Sequence, residues 1–111
     1  MPRSEGTTPK RVDANQPAIV KALRQRGCSV LPIHALGRGA PDLLVGFLTS
    51  TGERRNVLLE LKVGHALPTP AEVDFALSWI GPYALVNSIE GALAAISREA
   101  GYQIKPERTK Q

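Results

Sequence analysis

Hydrophobic and polar residues follow one another along the chain with two periods, one helical and one extended. Apolar residues at helical spacing predict a first helix that begins at Asp13 or Asn15 and ends at Arg26. Three short apolar runs follow, each bounded by glycine, proline or polar turn residues, and they predict strands at 29–33, 42–47 and 56–62. The turn residues TSTGERR between the last two runs predict a hairpin.

The segment LPTPAE predicts the start of a second helix. Thr69 has the N-cap position, Pro70 the first helical position, and Glu72 lies three residues after the cap, where it can close a capping box. This helix is expected to end at about Trp79, before a Gly-Pro pair.

The remaining apolar residues predict a fourth strand at 83–86 and a third helix from the Ser88 cap to Gly101. The order is therefore α-β-β-β-α-β-α. Strands joined by hairpins are antiparallel, whereas the β-α-β crossover places the fourth strand parallel to its neighbour. We expect an α/β fold with a mixed central sheet flanked by helices.

Composition favours one small folded domain, since the chain has 111 residues of which 42% are hydrophobic. Polar ends predict flexible tails at 1–11 and 105–111 around a domain at 12–104. Cys28 and Trp79 are expected in the core.

A single cysteine excludes an intramolecular disulfide and a cysteine-rich zinc site. No run reaches the roughly 18 apolar residues of a membrane span, so we expect a soluble cytosolic protein.

Three charged residues interrupt the apolar strands. Asp42 opens the second strand after a proline, and Glu60 and Lys62 share one face of the third strand. Pairing through the hairpin can bring the two carboxylates together, where they suit Mg²⁺, and the Leu61 carbonyl could add a ligand. The alternatives are a turn hydrogen bond for Asp42 and a solvent-facing strand pair for Glu60 and Lys62.

The segments GRGAPDLLVG, LLELK and LPTPAE resemble those of the VRR-NUC branch of the PD-(D/E)XK nuclease superfamily, whose small members are similar to Holliday-junction resolvases. The resemblance implies a restriction-endonuclease-like α-β-β-β-α-β core. It also implies that Asp42 and Glu60 bind Mg²⁺ or Mn²⁺ and that Lys62 is catalytic. The family commonly has a glutamate on the first helix, and here Gln16, or else Asn15 or Asp13, would take its place. It often has glutamine where this chain has Glu72, and the alternative role of Glu72 is that of a capping residue alone.

The loop before Asp42 and the segment after Lys62 contain candidate DNA contacts. Arg38, Gly39, His34 and His65 could approach phosphate, although each also fits an ordinary loop residue. The net charge of +4 fits either a nucleic-acid partner or simple solubility.

We therefore expect a metal-dependent nuclease acting on DNA, with branched or structured DNA as its substrate. Because a junction resolvase cuts two symmetry-related strands, we also expect a two-fold homodimer. The alternative function is a nucleic-acid-binding module of the same fold that has lost efficient catalysis. An RNA substrate is a third possibility that the sequence does not separate from DNA.

Overall fold

The computed structural model describes residues 15–104, which form three helices and four strands in the predicted order. The predicted tails and Asp13 lie outside the described residues. Within them, the elements are α1 Gln16–Gln25, β1 Ser29–Pro32, β2 Leu43–Leu48, β3 Arg54–Leu61, α2 Pro70–Ser78, β4 Tyr83–Val86 and α3 Ile89–Ala100. The sequence did not predict the single turn of 3-10 helix at His34–Leu36 between β1 and β2.

The strands lie side by side in chain order, β1-β2-β3-β4. β1, β2 and β3 are antiparallel, and β4 is parallel to β3 because α2 carries the chain back across the sheet. Leu43 lies opposite Leu59, and Glu60 lies opposite Leu85. The predicted α/β class and mixed sheet are confirmed. β3 begins at Arg54, before the predicted Asn56.

One face of the sheet carries the core. Side chains that alternate along β2 and β3 pack there against α1 and α3. The large aliphatic side chains of these four elements that are fully buried are Ile19, Leu23, Leu43, Val45, Val57, Leu59, Leu61, Leu93 and Ile96. Each buried aliphatic side chain of this size contributes about 1.5–3 kcal/mol. Cys28 is also part of this core, as predicted.

Glu60 and Lys62 alternate with these core residues and therefore lie on the opposite face, the side on which Lys62 meets α2. The prediction that Trp79 lies in the core is wrong, since it is 48% exposed. α2 ends at Ser78, and the extended backbone of Trp79 leaves its ring stacked on Phe75 at the surface, with the ring centroids 5.3 Å apart.

The predicted caps are present at α2 and α3. Thr69 Oγ1 accepts from the Glu72 N–H at 3.2 Å, and Glu72 Oε1 accepts from the Thr69 N–H at 2.9 Å. Ser88 caps α3 and Gly101 ends it in the left-handed conformation. Among residues 15–104, none of the helices has the length and apolarity needed to cross a membrane.

Gly39 should tolerate no side chain. Its φ is +79°, and a Cβ there would overlap the backbone carbonyl of Ala71 in α2. We expect Gly39→Ala to lose about 1–2 kcal/mol from the left-handed backbone and at least about 1 kcal/mol more from the overlap. Gly52 has a φ of +84° and open space around it, so Gly52→Ala should lose only the about 1–2 kcal/mol that comes from the left-handed backbone. Equal losses in urea unfolding would contradict this packing of the loop on α2.

The stability of the protein should fall at alkaline pH in a way that depends on Cys28. Burial raises the pKa of the Cys28 thiol, so an unfolded chain loses this proton at a lower pH than the folded one. The resulting stabilisation is complete below the unfolded pKa of about 8.5 and is lost as the pH rises through the folded pKa. Urea unfolding of wild type and Cys28→Ala at about pH 7 and about pH 9.5 checks this. Only wild type should show the thiol-dependent loss, and parallel pH dependences would contradict it.

Candidate active site

The Asp42 carboxylate lies at the junction of β2 and β3 and is fully buried. Its Oδ2 accepts a hydrogen bond of 2.8 Å from the backbone N–H of Leu61. The backbone of Asp42 is fixed as well, because its N–H donates to the Leu59 carbonyl and its carbonyl accepts from the Ile33 N–H. The side chain is thus directed across the sheet to β3 and next to Glu60, which is a different role from a local turn hydrogen bond.

Glu60 and Lys62 form a largely buried ion pair. The Glu60 side chain is fully buried and the Lys62 side chain is 13% exposed, with Lys62 Nζ 3.6 Å from Glu60 Oε2. A surface pair contributes little, but charges removed from water must be paired or hydrogen-bonded. Glu60 and Lys62 are therefore buried, and they are not the solvent-facing strand pair that the sequence allowed as an alternative.

Glu72 is a further member of this cluster. Its Oε1 lies 2.7 Å from Lys62 Nζ, and the residue is only 4% exposed. The sequence predicted its capping role and missed its contact with Lys62. The capping box offered a signal for this contact. A capping-box glutamate turns back toward the start of its helix, and α2 is the next helix after Lys62.

The start of α1 is attached to the end of β3. The Asn15 Nδ2 donates to the carbonyls of Lys62 and Asn87 at 3.4 Å and 3.3 Å. Asn15 is the N-cap residue of α1, but its side chain makes no capping bond. These contacts place the first turn of α1, and with it Gln16, beside the end of the strand that holds Glu60.

Gln16 carries a buried polar atom with an unusual environment. The residue is 5% exposed, and within the part of the chain that the structure describes its Oε1 is buried without a hydrogen-bond partner. Such an atom costs about 1–3 kcal/mol. An unpartnered oxygen acceptor in the first turn of α1, which Asn15 attaches to the end of β3, suits a cation ligand or a partner for ordered water. The Asn15 Oδ1 is in the same condition.

The candidate DNA contacts are placed unequally. Arg38 and His65 are exposed, whereas His34 is half-buried. Arg38 has a φ of +59° between two glycines that also have positive φ. Gly39 packs on the first turn of α2, the same turn that carries Glu72. The loop before Asp42 therefore connects an exposed arginine to the buried cluster.

The donor atoms at this sheet end fit a hard divalent cation. Buried carboxylates from Asp42 and Glu60, the Leu61 carbonyl and the Gln16 amide are all oxygen donors, which Mg²⁺ and Mn²⁺ prefer. Among residues 15–104, no group of three or more His, Cys, Asp or Glu is arranged to hold a metal ion. Protein carboxylates would thus supply only part of the coordination, with amide, carbonyl and water oxygens supplying the rest, as is usual for Mg²⁺.

Comparison with known proteins adds no relative: no family model, curated protein or solved structure matches the chain.

Mn²⁺ should stabilise the protein through Asp42. A ligand at a hundred times its dissociation constant adds about 2.7 kcal/mol, and in a domain of this size each kcal/mol raises Tm by about 4–8 °C. We expect this rise in wild type and little of it in Asp42→Asn, which keeps a hydrogen-bond acceptor for Leu61 and removes the charge. Asp74→Asn, the same change at an exposed position of α2, should respond as wild type does. Equal Mn²⁺ shifts in all three proteins by differential scanning fluorimetry would place the metal elsewhere.

Proposed function

We propose that this chain is a divalent-metal-dependent nuclease that hydrolyses phosphodiester bonds in DNA. The observation that carries the proposal is that the fully buried Asp42 carboxylate is hydrogen-bonded to the Leu61 N–H at the same sheet end where the fully buried Glu60 pairs with Lys62. Buried charges of this kind are costly, and they are typical of functional sites, such as one that binds a cation and a phosphate.

The residues have distinct roles in this mechanism. Asp42 and Glu60 would hold Mg²⁺ or Mn²⁺, with the Leu61 carbonyl as a further ligand. When bound, the cation supplies Lewis acidity toward the phosphodiester and an activated water. Lys62 is 13% exposed, which lets its ammonium reach a phosphate and neutralise charge that develops in the transition state. The Gln16 amide would orient a water or the scissile phosphate.

The fold is consistent with this family of enzymes. We propose that α1, the three antiparallel strands, α2 and the parallel β4 form a restriction-endonuclease-like core of the VRR-NUC branch. The support is the element order together with the position of Pro-Asp at the start of β2 and Glu-x-Lys at the end of β3. The motif resemblance supplies the rest of this assignment.

The partner in this proposal is branched or structured DNA, cut by a cytosolic homodimer with two-fold symmetry. Arg38, with His34, Gly39 and His65, would contact the backbone on either side of the site, and the net charge of +4 favours such a partner. The preference for branches comes from the resemblance to junction resolvases.

A second candidate is a DNA-binding module without efficient catalysis. The observation that favours it is Gln16, a neutral amide at the position where the resemblance implies a glutamate. An amide is a weaker ligand for a hard cation than a carboxylate. Cleavage and binding must therefore be measured separately.

Cleavage should depend on the divalent cation and on Glu60. Labelled fork, flap and four-way-junction DNA would be incubated with Mg²⁺, Mn²⁺ or EDTA, with a linear duplex of the same sequence beside them. We expect metal-dependent cutting of the branched substrates and a loss of at least about a hundredfold in Glu60→Gln. Binding by Glu60→Gln should be equal or tighter, since a negative charge near phosphate has been removed.

The control is Glu90→Gln, the same change at an exposed residue of α3, which should cut as wild type does. Intact substrates combined with retained binding would favour the binding module. Undiminished cutting by Glu60→Gln would move the active site elsewhere. Competition with RNA junctions of matched sequence decides between the two nucleic acids.

A further inference from the structure

Lys62 lies between two carboxylates and is closer to the one outside the proposed ligand set. Its Nζ is 2.7 Å from Glu72 Oε1 and 3.6 Å from Glu60 Oε2. All three side chains are largely buried, so water screens these charges only weakly. An ammonium this near to Glu60 is an internal cation that competes with a metal ion for the same carboxylate.

We propose that Glu72 is a positioning residue that draws the Lys62 ammonium away from Glu60 and so leaves Glu60 able to bind a divalent cation. The inference rests on the proposed metal site. Its physical basis is that the attraction between charges grows as their separation falls, so the nearer carboxylate takes the larger share of the ammonium.

Glu72 can act in this way because its own position does not depend on Lys62. In the capping box the Glu72 carboxylate accepts from the Thr69 N–H at 2.9 Å, and the Glu72 backbone N–H donates to Thr69 Oγ1 at 3.2 Å, which holds the residue at the first turn of α2. Gly39 packs against the backbone of Ala71 in the same turn. The end of a helix thus holds a buried negative charge at a set distance from the strand.

Without that charge, Lys62 still has the Glu60 carboxylate at 3.6 Å. In Glu72→Gln the amide oxygen can still accept from the Thr69 N–H, so the helix cap is kept while the negative charge is removed. Lys62 should then move toward Glu60, and a metal ion would have to displace it.

A double-mutant cycle separates this effect from a direct attraction between Glu72 and the metal. Mn²⁺ affinity would be measured by calorimetry for wild type, Glu72→Gln, Lys62→Met and the double variant. We expect Glu72→Gln to weaken Mn²⁺ binding by about 5- to 10-fold. In the Lys62→Met background the same change should alter affinity by less than about twofold, because the competing ammonium is gone. Thr69→Ala, which removes half of the capping box and keeps the charge, should bind within about twofold of wild type.

Chemical labelling gives a readout that is independent of activity. The acetylation rate of Lys62 would be measured by mass spectrometry with and without Mn²⁺, and the exposed Lys21 of α1 serves as the internal reference. In Glu72→Gln, Mn²⁺ should accelerate Lys62 modification, because the ion takes Glu60 from the lysine. In wild type the Lys62 rate should change by less than about twofold, since its main partner is Glu72.

The outcomes are distinguishable from failure of the proposed function. Absence of Mn²⁺ binding by wild type would overturn the metal site and this inference together. Wild-type affinity in Glu72→Gln would overturn the inference alone. A loss in Glu72→Gln that persists without Lys62 would also overturn it, since Glu72 would then act on the ion directly.

Discussion

The hydrogen bond from the Leu61 N–H to Asp42 Oδ2 is the constraint on which the rest of the site depends. It joins the first side chain before β2 to the last residue of β3, so it fixes where the hairpin ends and which charged groups meet there. A fully buried carboxylate is costly unless it is hydrogen-bonded or paired. The same bond therefore makes the burial of Asp42 tolerable and turns it toward Glu60.

One face of the sheet carries the hydrophobic core, and the other carries the candidate site. Leu59 and Leu61 pack with α1 and α3 on one face, while Glu60 and Lys62, their immediate neighbours in sequence, lie on the other, where Lys62 meets α2. Stabilisation by the aliphatic core offsets the cost of the buried charges. Strand β3 thus performs both tasks through strict alternation, and a shift of one residue in its register would exchange core and site.

Local patterns predicted the elements well, whereas contacts between distant elements were harder to anticipate. The Thr69–Glu72 capping box and the parallel β4 followed from spacing and connection length. Trp79 was misplaced because hydrophobicity alone does not say that a helix ends one residue earlier and leaves the ring on the surface. The capping box indicates only that Glu72 turns back toward the start of α2; its contact with Lys62 and the burial of Gln16 also depend on how the helices dock.

The Glu72 carboxylate lies on α2, whereas the motif resemblance implies an acidic side chain on the first helix. The motif resemblance implies glutamate on that helix and often glutamine on the second, and this chain has Gln16 and Glu72, the reverse arrangement. In the proposed assignment to that branch, an acidic side chain on α2 beside Lys62 would stand in for the one implied on α1. When ionised, three carboxylates and one ammonium leave an excess of negative charge that a divalent cation neutralises. Under the proposed assignment, Gln16 on α1 and Glu72 on α2 would together keep the charge balance of the site, with the acidic side chain placed beside the lysine.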